Sequence, residues 1–141
     1  MEQMKVRLIV AGTRKMRHAT FVREAIEQST FLPAVILHGG ADGVDTLAGR
    51  WAMLNGIPVE VYLPKWAAYG NVAGPIRNRE MCKHADALLA IWDGESRGTA
   101  DIIRQARDQG IFVLVRRLHR DDEGRWQWDE QQKSSKEATH A

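Results

Sequence analysis

With 141 residues, 44% of them hydrophobic and 27% charged, the chain has the composition of one globular domain and enough length to bury a core. A formal net charge of +2 is too small to argue for nucleic acid or a membrane surface by itself, so any basic character has to be local to count. A single cysteine, Cys82, excludes an intramolecular disulfide. No apolar run approaches the length of about 18 residues that spans a bilayer and no signal-peptide pattern opens the chain, so a cytoplasmic protein with no membrane partner is expected.

Lys5 to Val10 is an apolar strand that runs into Ala11, Gly12, Thr13 and Arg14. A strand ending in a small-residue turn at the start of an α/β domain is where ligand sites form. Gly12 permits a tight turn, Thr13 can bond its own backbone, and Arg14 either reaches an anion or lies solvated on the loop. His18 to Ser29 then reads as an amphipathic helix with Ala19, Val22, Ala25 and Ile26 on one face. Leu32 and Pro33 break it, and Ala34 to Leu37 forms a second apolar strand leading into His38-Gly-Gly-Ala-Asp-Gly-Val-Asp45. Gly39, Gly40 and Gly43 let backbone N–H groups approach a ligand closely. The alternative is a plain strand-to-helix turn in which Asp42 or Asp45 caps the helix. Neither the Gly-Lys-Ser/Thr ending of a P-loop nor the Gly-x-Gly-x-x-Gly dinucleotide fingerprint is present. Leu47, Ala48, Trp51, Ala52 and Leu54 follow at helical spacing, and Gly56 ends the helix.

Pro58 to Leu63 is a third strand, stopped by Pro64, and Lys65 to Gly74 reads as a loop. Its large side chains, Trp66 and Tyr69, either stack on a base or plug the underside of the loop. Pro75 suits the first turn of a helix, where Arg77, Asn78, Arg79 and Glu80 would crowd the positive end of the dipole and be relieved by an anion. Cys82 falls inside that helix as a buried, inert thiol. Asp86 to Trp92 is a short, nearly continuous apolar run, as expected of a parallel strand covered on both faces. The loop after it carries Gly94, Ser96, Gly98 and Thr99, and a helix follows from Ala100 to Gln109 with Ile102, Ile103 and Ala106 on its apolar face. Gly110 caps it, and Ile111 to Val115 is a fifth buried strand.

Arg116 to Arg120 and Arg125 to Asp129 then form a short C-terminal hairpin. Its tryptophans either cover one end of the domain, leaving the charges as a solvated face, or stack on single-stranded nucleic acid. One domain is expected over 1–130, followed by a polar, disordered tail over 131–141. Five strands alternating with four helices make an α/β, doubly wound parallel sheet with flanking helices. The glycine-bearing loops after strands one, two and four fall on the carboxyl edge of that sheet, and together they point to a phosphorylated small molecule. His18, His38, His84, His119 and His140 show no ligand spacing, so no metal and no cofactor is expected.

The segments Ala11-Gly-Thr-Arg14, Gly39-Gly-Ala-Asp-Gly-Val-Asp45, Trp66-x-x-Tyr-Gly-x-x-Ala-Gly-Pro-x-Arg-Asn78 and Ser96-Arg-Gly-Thr-Ala-Asp101 resemble the YspA-like branch of the SLOG superfamily. The resemblance covers residues 5–115. It implies a Rossmann-like fold, a nucleotide or nucleotide-derived ligand, and a homodimer or higher homo-oligomer. The superfamily also includes cytokinin-activating phosphoribohydrolases and the DNA-processing protein Smf/DprA. In the hydrolases, an arginine in Arg-Lys-x-x-Met works with a glutamate in Pro-Gly-Gly-x-Gly-Thr-x-x-Glu to cleave an N-glycosidic bond. Arg77-Asn-Arg-Glu-Met81 matches the first segment, so Arg77 inherits the arginine's role. The glutamate's position falls on Ile102, which cannot stabilise a cationic sugar. Asp101 is one residue early, about 100° around the helix, and Glu80 lies one turn from Arg77.

Three functions follow from these residues. The preferred one is binding or sensing of a nucleotide, with Gly39, Gly40, Gly43, Gly98 and Thr99 holding phosphate and Arg77 and Arg14 neutralising it. In that reading Asn78 bonds a sugar, Asp45 braces its loop or contacts ribose, and Trp66 stacks on the base. The second is N-glycoside hydrolysis of a nucleoside monophosphate or NAD-related compound, with Arg77 and either Glu80 or Asp101 as catalytic groups. The third is binding of single-stranded nucleic acid through Arg116, Arg117, Arg120, Arg125, Trp126 and Trp128.

Overall fold

The computed structural model describes residues 4–129, so the tail expected over 131–141 lies outside the described residues. The elements are β1 (Met4–Gly12), α1 (Ala19–Gln28), β2 (Phe31–His38), α2 (Val44–Leu54), β3 (Val59–Val61), α3 (Trp66–Tyr69), a 3-10 turn (Gly70–Val72), α4 (Ala73–Lys83), β4 (Ala87–Trp92), α5 (Arg97–Asp108), β5 (Phe112–Arg120) and β6 (Trp126–Trp128). The strand order is β3-β2-β1-β4-β5-β6, parallel from β3 to β5, with β6 antiparallel to β5. This is the expected Rossmann-like, doubly wound α/β sheet.

Alternation along the two central strands builds both faces of the core. Leu8 and Val10 of β1, with Leu89 and Ile91 of β4, meet Val22 and Ile26 of α1 and Val44 and Ala48 of α2. Ile9 and Ala11, with Leu88 and Ala90, meet Met81 and Cys82 of α4 and Ile102 and Ala106 of α5. Both faces are dry, so β1 and β4 read as continuous apolar runs. Among the described residues no helix is long and apolar enough to cross a membrane.

Several local expectations are corrected. Pro33 lies inside β2, because β3 pairs with β2 only at Ile36 to His38 and leaves the start of β2 an edge. The register with β1 shifts there, from Val6 opposite Pro33 to Arg7 opposite Val35. The segment read as a loop after Pro64 folds as α3 and the 3-10 turn, with Trp66 54% and Tyr69 47% exposed, so neither ring plugs a loop. Helix α4 starts at Ala73, which moves Arg77 to Glu80 into its second turn. Leu54, placed on the apolar face of α2, is 87% exposed.

Strand β5 runs unbroken through Arg120 and supplies the first arm of the terminal hairpin. Arg116, expected on a solvated face, is buried, bonds Gln28 Oε1 at 3.1 Å and lies 4.2 Å from the Trp128 ring centroid. Trp128 packs on Phe21 and donates to Glu24 Oε2 at 3.1 Å, while Arg120 lies 4.7 Å from the Trp126 ring. These tryptophans cover one end of the domain, and its own arginines occupy their ring faces.

Candidate functional site

The chain leaves β1 toward β2 on one side and β4 toward β5 on the other, so the loops at their carboxyl ends diverge and open a crevice. Gly12 ends β1 at that point, and a Cβ there would collide with the Ile91 carbonyl oxygen and stand 2.8 Å from Val44 Cγ2. The Thr13 N–H donates to Ile91 O at 3.1 Å, and its hydroxyl donates to Asp93 Oδ2 at 3.0 Å, tying the two loops together. Asp93 Oδ1 accepts from the N–H groups of Glu95 and Ser96 at 2.9 and 3.0 Å. Burial works to raise the Asp93 pKa, but these bonds outweigh it and leave the carboxyl below its ordinary value.

That folded loop delivers Ser96 as the N-cap of α5. Its Oγ accepts from the Thr99 N–H at 3.4 Å and the Thr99 hydroxyl at 3.0 Å. The N–H groups of Arg97 and Gly98 belong to the first turn and have no acceptor within the helix. A Cβ on Gly98 would meet nothing within 4 Å, so that end of the helix is open.

The glycine loop after β2 is turned inward. Asp45 Oδ2 accepts from the Gly39 N–H at 2.9 Å and the Ala41 N–H at 3.4 Å, and the Gly40 N–H donates to His38 Nδ1 at 3.0 Å. Asp45 thus braces the loop rather than merely capping α2. It is only 5% exposed, and burial pushes its pKa up to about 6 against the opposing N–H bonds and the nearby Arg77 and Arg14. Gly43 has φ 83°, and a Cβ there would strike the carbonyl oxygen of Thr13.

Arg77 joins these parts. Its Nη1 donates to Gly39 O at 2.5 Å and Tyr62 O at 3.1 Å, and its Nε donates to Asn78 Oδ1 at 2.9 Å. Asn78, buried, donates in turn to Gly98 O at 3.3 Å and Asp101 Oδ2 at 2.9 Å. One helix therefore clamps the loop after β2 to the start of α5. Burial lowers the Arg77 pKa, with Asp45 acting against it.

The clamp leaves a cleft of about 30 Å³ between Gly12 and Arg14 after β1, Asp45 of α2, Arg77 and Asn78 of α4, and Gly98 and Thr99 of α5. Ile102 lines it too. Gly39, Gly40 and Gly43 shape the loop behind it without lining it. Arg77 also lines a second cavity of about 390 Å³, together with Tyr62, Leu63, Tyr69, Ile76 and Glu80. Trp66 lines neither space and lies over Gly74. Asp101 faces a groove between α4 and α5, bonded to Asn78, Arg104 and Gln105. Asp101 and Glu80 thus sit away from the cleft, on different sides of α4.

Sequence reasoning missed Asp93 and Ser96 as the residues that fold the β4 loop, although Ser96, three residues before Thr99 and just ahead of an apolar helical run, is an N-cap signal. It also missed Tyr62 and Ile76, which carry no local motif. Among the described residues, no three His, Cys, Asp or Glu gather where they could hold a metal.

Residues 6–69 match the family model described as "YspA, cpYpsA-related SLOG family", a span that takes in the loops after β1 and β2. The chain is 35% identical over 118 residues to the Gene 61 protein of Mycobacterium phage D29, covering 77% of this chain and 94% of that protein. Its fold is similar to the X-ray structure of DNA processing protein A (DprA) from Streptococcus pneumoniae, with a TM-score of 0.61 and 20% identity over 80% of this chain. It spans 50% of the length of that DprA chain. The chain belongs to the YspA, cpYpsA-related SLOG family.

Proposed function

We propose that this protein binds a nucleotide or nucleotide-derived ligand in the cytoplasm, with phosphate in the cleft at the β1–β4 switch point, and that it senses this ligand rather than hydrolysing it. The observation that carries the reading is the open N-terminus of α5 facing Arg14 and Arg77. Free N–H groups at a helix start and two guanidinium groups form an anion site of both dipole and charge. The glycine loop after β2 serves it indirectly, by holding Asp45 and Arg77 in place. Ile102, lining the cleft where the resembling hydrolases carry glutamate, offers no charge to a developing sugar cation.

The test is mass spectrometry of small molecules released from denatured protein, beside nucleotide titrations of wild type and Gly98→Asp. An acid in the first turn of α5 suits the dipole and meets no obstruction, so the variant is expected to fold at least as stably. At about 5 Å and an effective dielectric near 20, its charge opposes a phosphate charge by about 3 kcal/mol, or roughly a hundredfold in affinity. Phosphate-bearing ligands binding Gly98→Asp as tightly as wild type, or binding neither protein, would overturn the proposal.

A further inference from the structure

The cleft has room for about two water-sized groups, so it can receive part of a phosphoryl group at its mouth and is too small for a nucleoside. The adjoining cavity, which shares Arg77 with it, holds about 390 Å³, within the range of small-molecule sites. Its lining suits a flat ring. Tyr62 is fixed twice, by its hydroxyl donating to Glu60 Oε1 at 3.0 Å and by stacking on His84 at 6.1 Å and 25°. Arg7 pins Glu60 in turn at 2.6 Å, so the Tyr62 ring loses little freedom when a ligand arrives. Leu63 and Tyr69 line the same space while 66% and 47% exposed, apolar area that a ring would cover.

Glu80 is the acidic group of this lining, and its partners are the surface residues His84 at 3.3 Å and Lys83 at 3.8 Å. An ionised carboxylate only accepts hydrogen bonds, so a ring edge that it reads must present N–H donors. Guanine offers N1–H and an N2 amine side by side, a match for both carboxylate oxygens. Adenine sets an acceptor beside its amine, and hypoxanthine lacks the second donor. We propose that the cavity beside Arg77 is a nucleobase subsite selective for guanine, with Glu80 as its specificity-determining residue; this rests on the phosphate reading of the cleft.

Calorimetric titration of wild type, Glu80→Gln and Tyr69→Ala with GMP, IMP, AMP and ribose 5-phosphate tests it. Both substitutions fall on exposed positions, so folding is expected to survive them. Wild type is expected to bind GMP at least tenfold more tightly than IMP or AMP. Glu80→Gln is expected to narrow that preference below threefold, and Tyr69→Ala to weaken GMP about tenfold, with ribose 5-phosphate unchanged in both. GMP binding no more tightly than ribose 5-phosphate, while Gly98→Asp still abolishes the latter, would overturn the base subsite and leave the phosphate site standing. An unchanged GMP preference in Glu80→Gln would overturn the role of Glu80. Absence of binding by both GMP and ribose 5-phosphate would overturn both proposals together.

Discussion

Asp45→Asn isolates the buried carboxylate at the centre of the site. Asp45 uses one oxygen for both of its loop bonds, to the Gly39 and Ala41 N–H groups, and an asparagine carbonyl in that place keeps them. What changes is the charge. In the unfolded chain the carboxyl ionises near its ordinary 3.8, whereas in the fold burial raises it to about 6. Between these values the folded state holds a proton that the unfolded state has released, so stability falls as pH rises through this window and is flat on either side. The span corresponds to about 3 kcal/mol. Urea unfolding of wild type and Asp45→Asn at pH 4, 5, 6 and 7 measures it, and the difference between the proteins cancels every other titrating group. Asp45→Asn is expected to gain about 2 kcal/mol on wild type between pH 4 and pH 7, the rest of the span lying outside that range. The same charge repels phosphate in the cleft, so wild-type affinity should weaken as pH rises through about 6 while that of Asp45→Asn should not. A stability difference that is constant with pH, or that favours wild type as pH rises, would show that Arg77 compensates Asp45 fully and would refute the desolvation argument.

Two further predictions concern the clamp and its helix. Gly39→Ala drives a methyl into the Arg77 guanidinium and should cost about 1–3 kcal/mol in urea unfolding; combined with Arg77→Ala, the added cost should fall to what the remaining contact with Asp45 Oδ2 at 3.0 Å imposes. Cys82, buried in α4 with burial pushing its pKa up to about 11, should resist a disulfide reagent at pH 8 in the folded protein and react fully once it is unfolded in urea.

The sheet was legible because β1 and β4 are buried on both faces, which leaves runs such as Leu8 to Ala11 and Ala87 to Ile91 with no polar interruption. Gly56 and Gly110 announced the ends of α2 and α5 because each takes positive φ just past its helix. Pro33 misled, since its fitness for a strand depends on how short β3 is, a fact of the neighbouring segment. Arg116 misled for a related reason: a guanidinium sandwiched between Trp128 and Gln28 has the same local sequence as a solvated one. Gly12, Arg14, Asp45, Arg77 and Gly98, singled out in the sequence, line one cleft, whereas the inward turn of the paired glycines was not legible. Whether Gly39 offers its N–H to a ligand or to Asp45 depends on a side chain six residues away, which no spacing rule specifies.

The hydrogen bonds around Arg77 would couple a phosphate bound in the cleft to the loop after β2. Asp101 of α5 holds Asn78, Asn78 and Arg77 hold each other, and Arg77 holds the backbone of Gly39 beyond the end of β2. A phosphate drawn to the start of α5 would therefore be drawn to the same guanidinium that fixes the loop after β2. Its binding energy would tighten contacts among these segments, and the fold would gain stability with the logarithm of one plus ligand concentration over Kd. Catalysis by the same clamp would require a carboxylate on the cleft side of α5. That side carries Ile102 in the apolar layer against β4, while Asp101, about 100° around the helix, serves the clamp by accepting from Asn78. The apolar packing that holds α5 against the sheet thus accounts for the lack of an acid at position 102, and Asp45 of α2 supplies the carboxylate that lines the cleft.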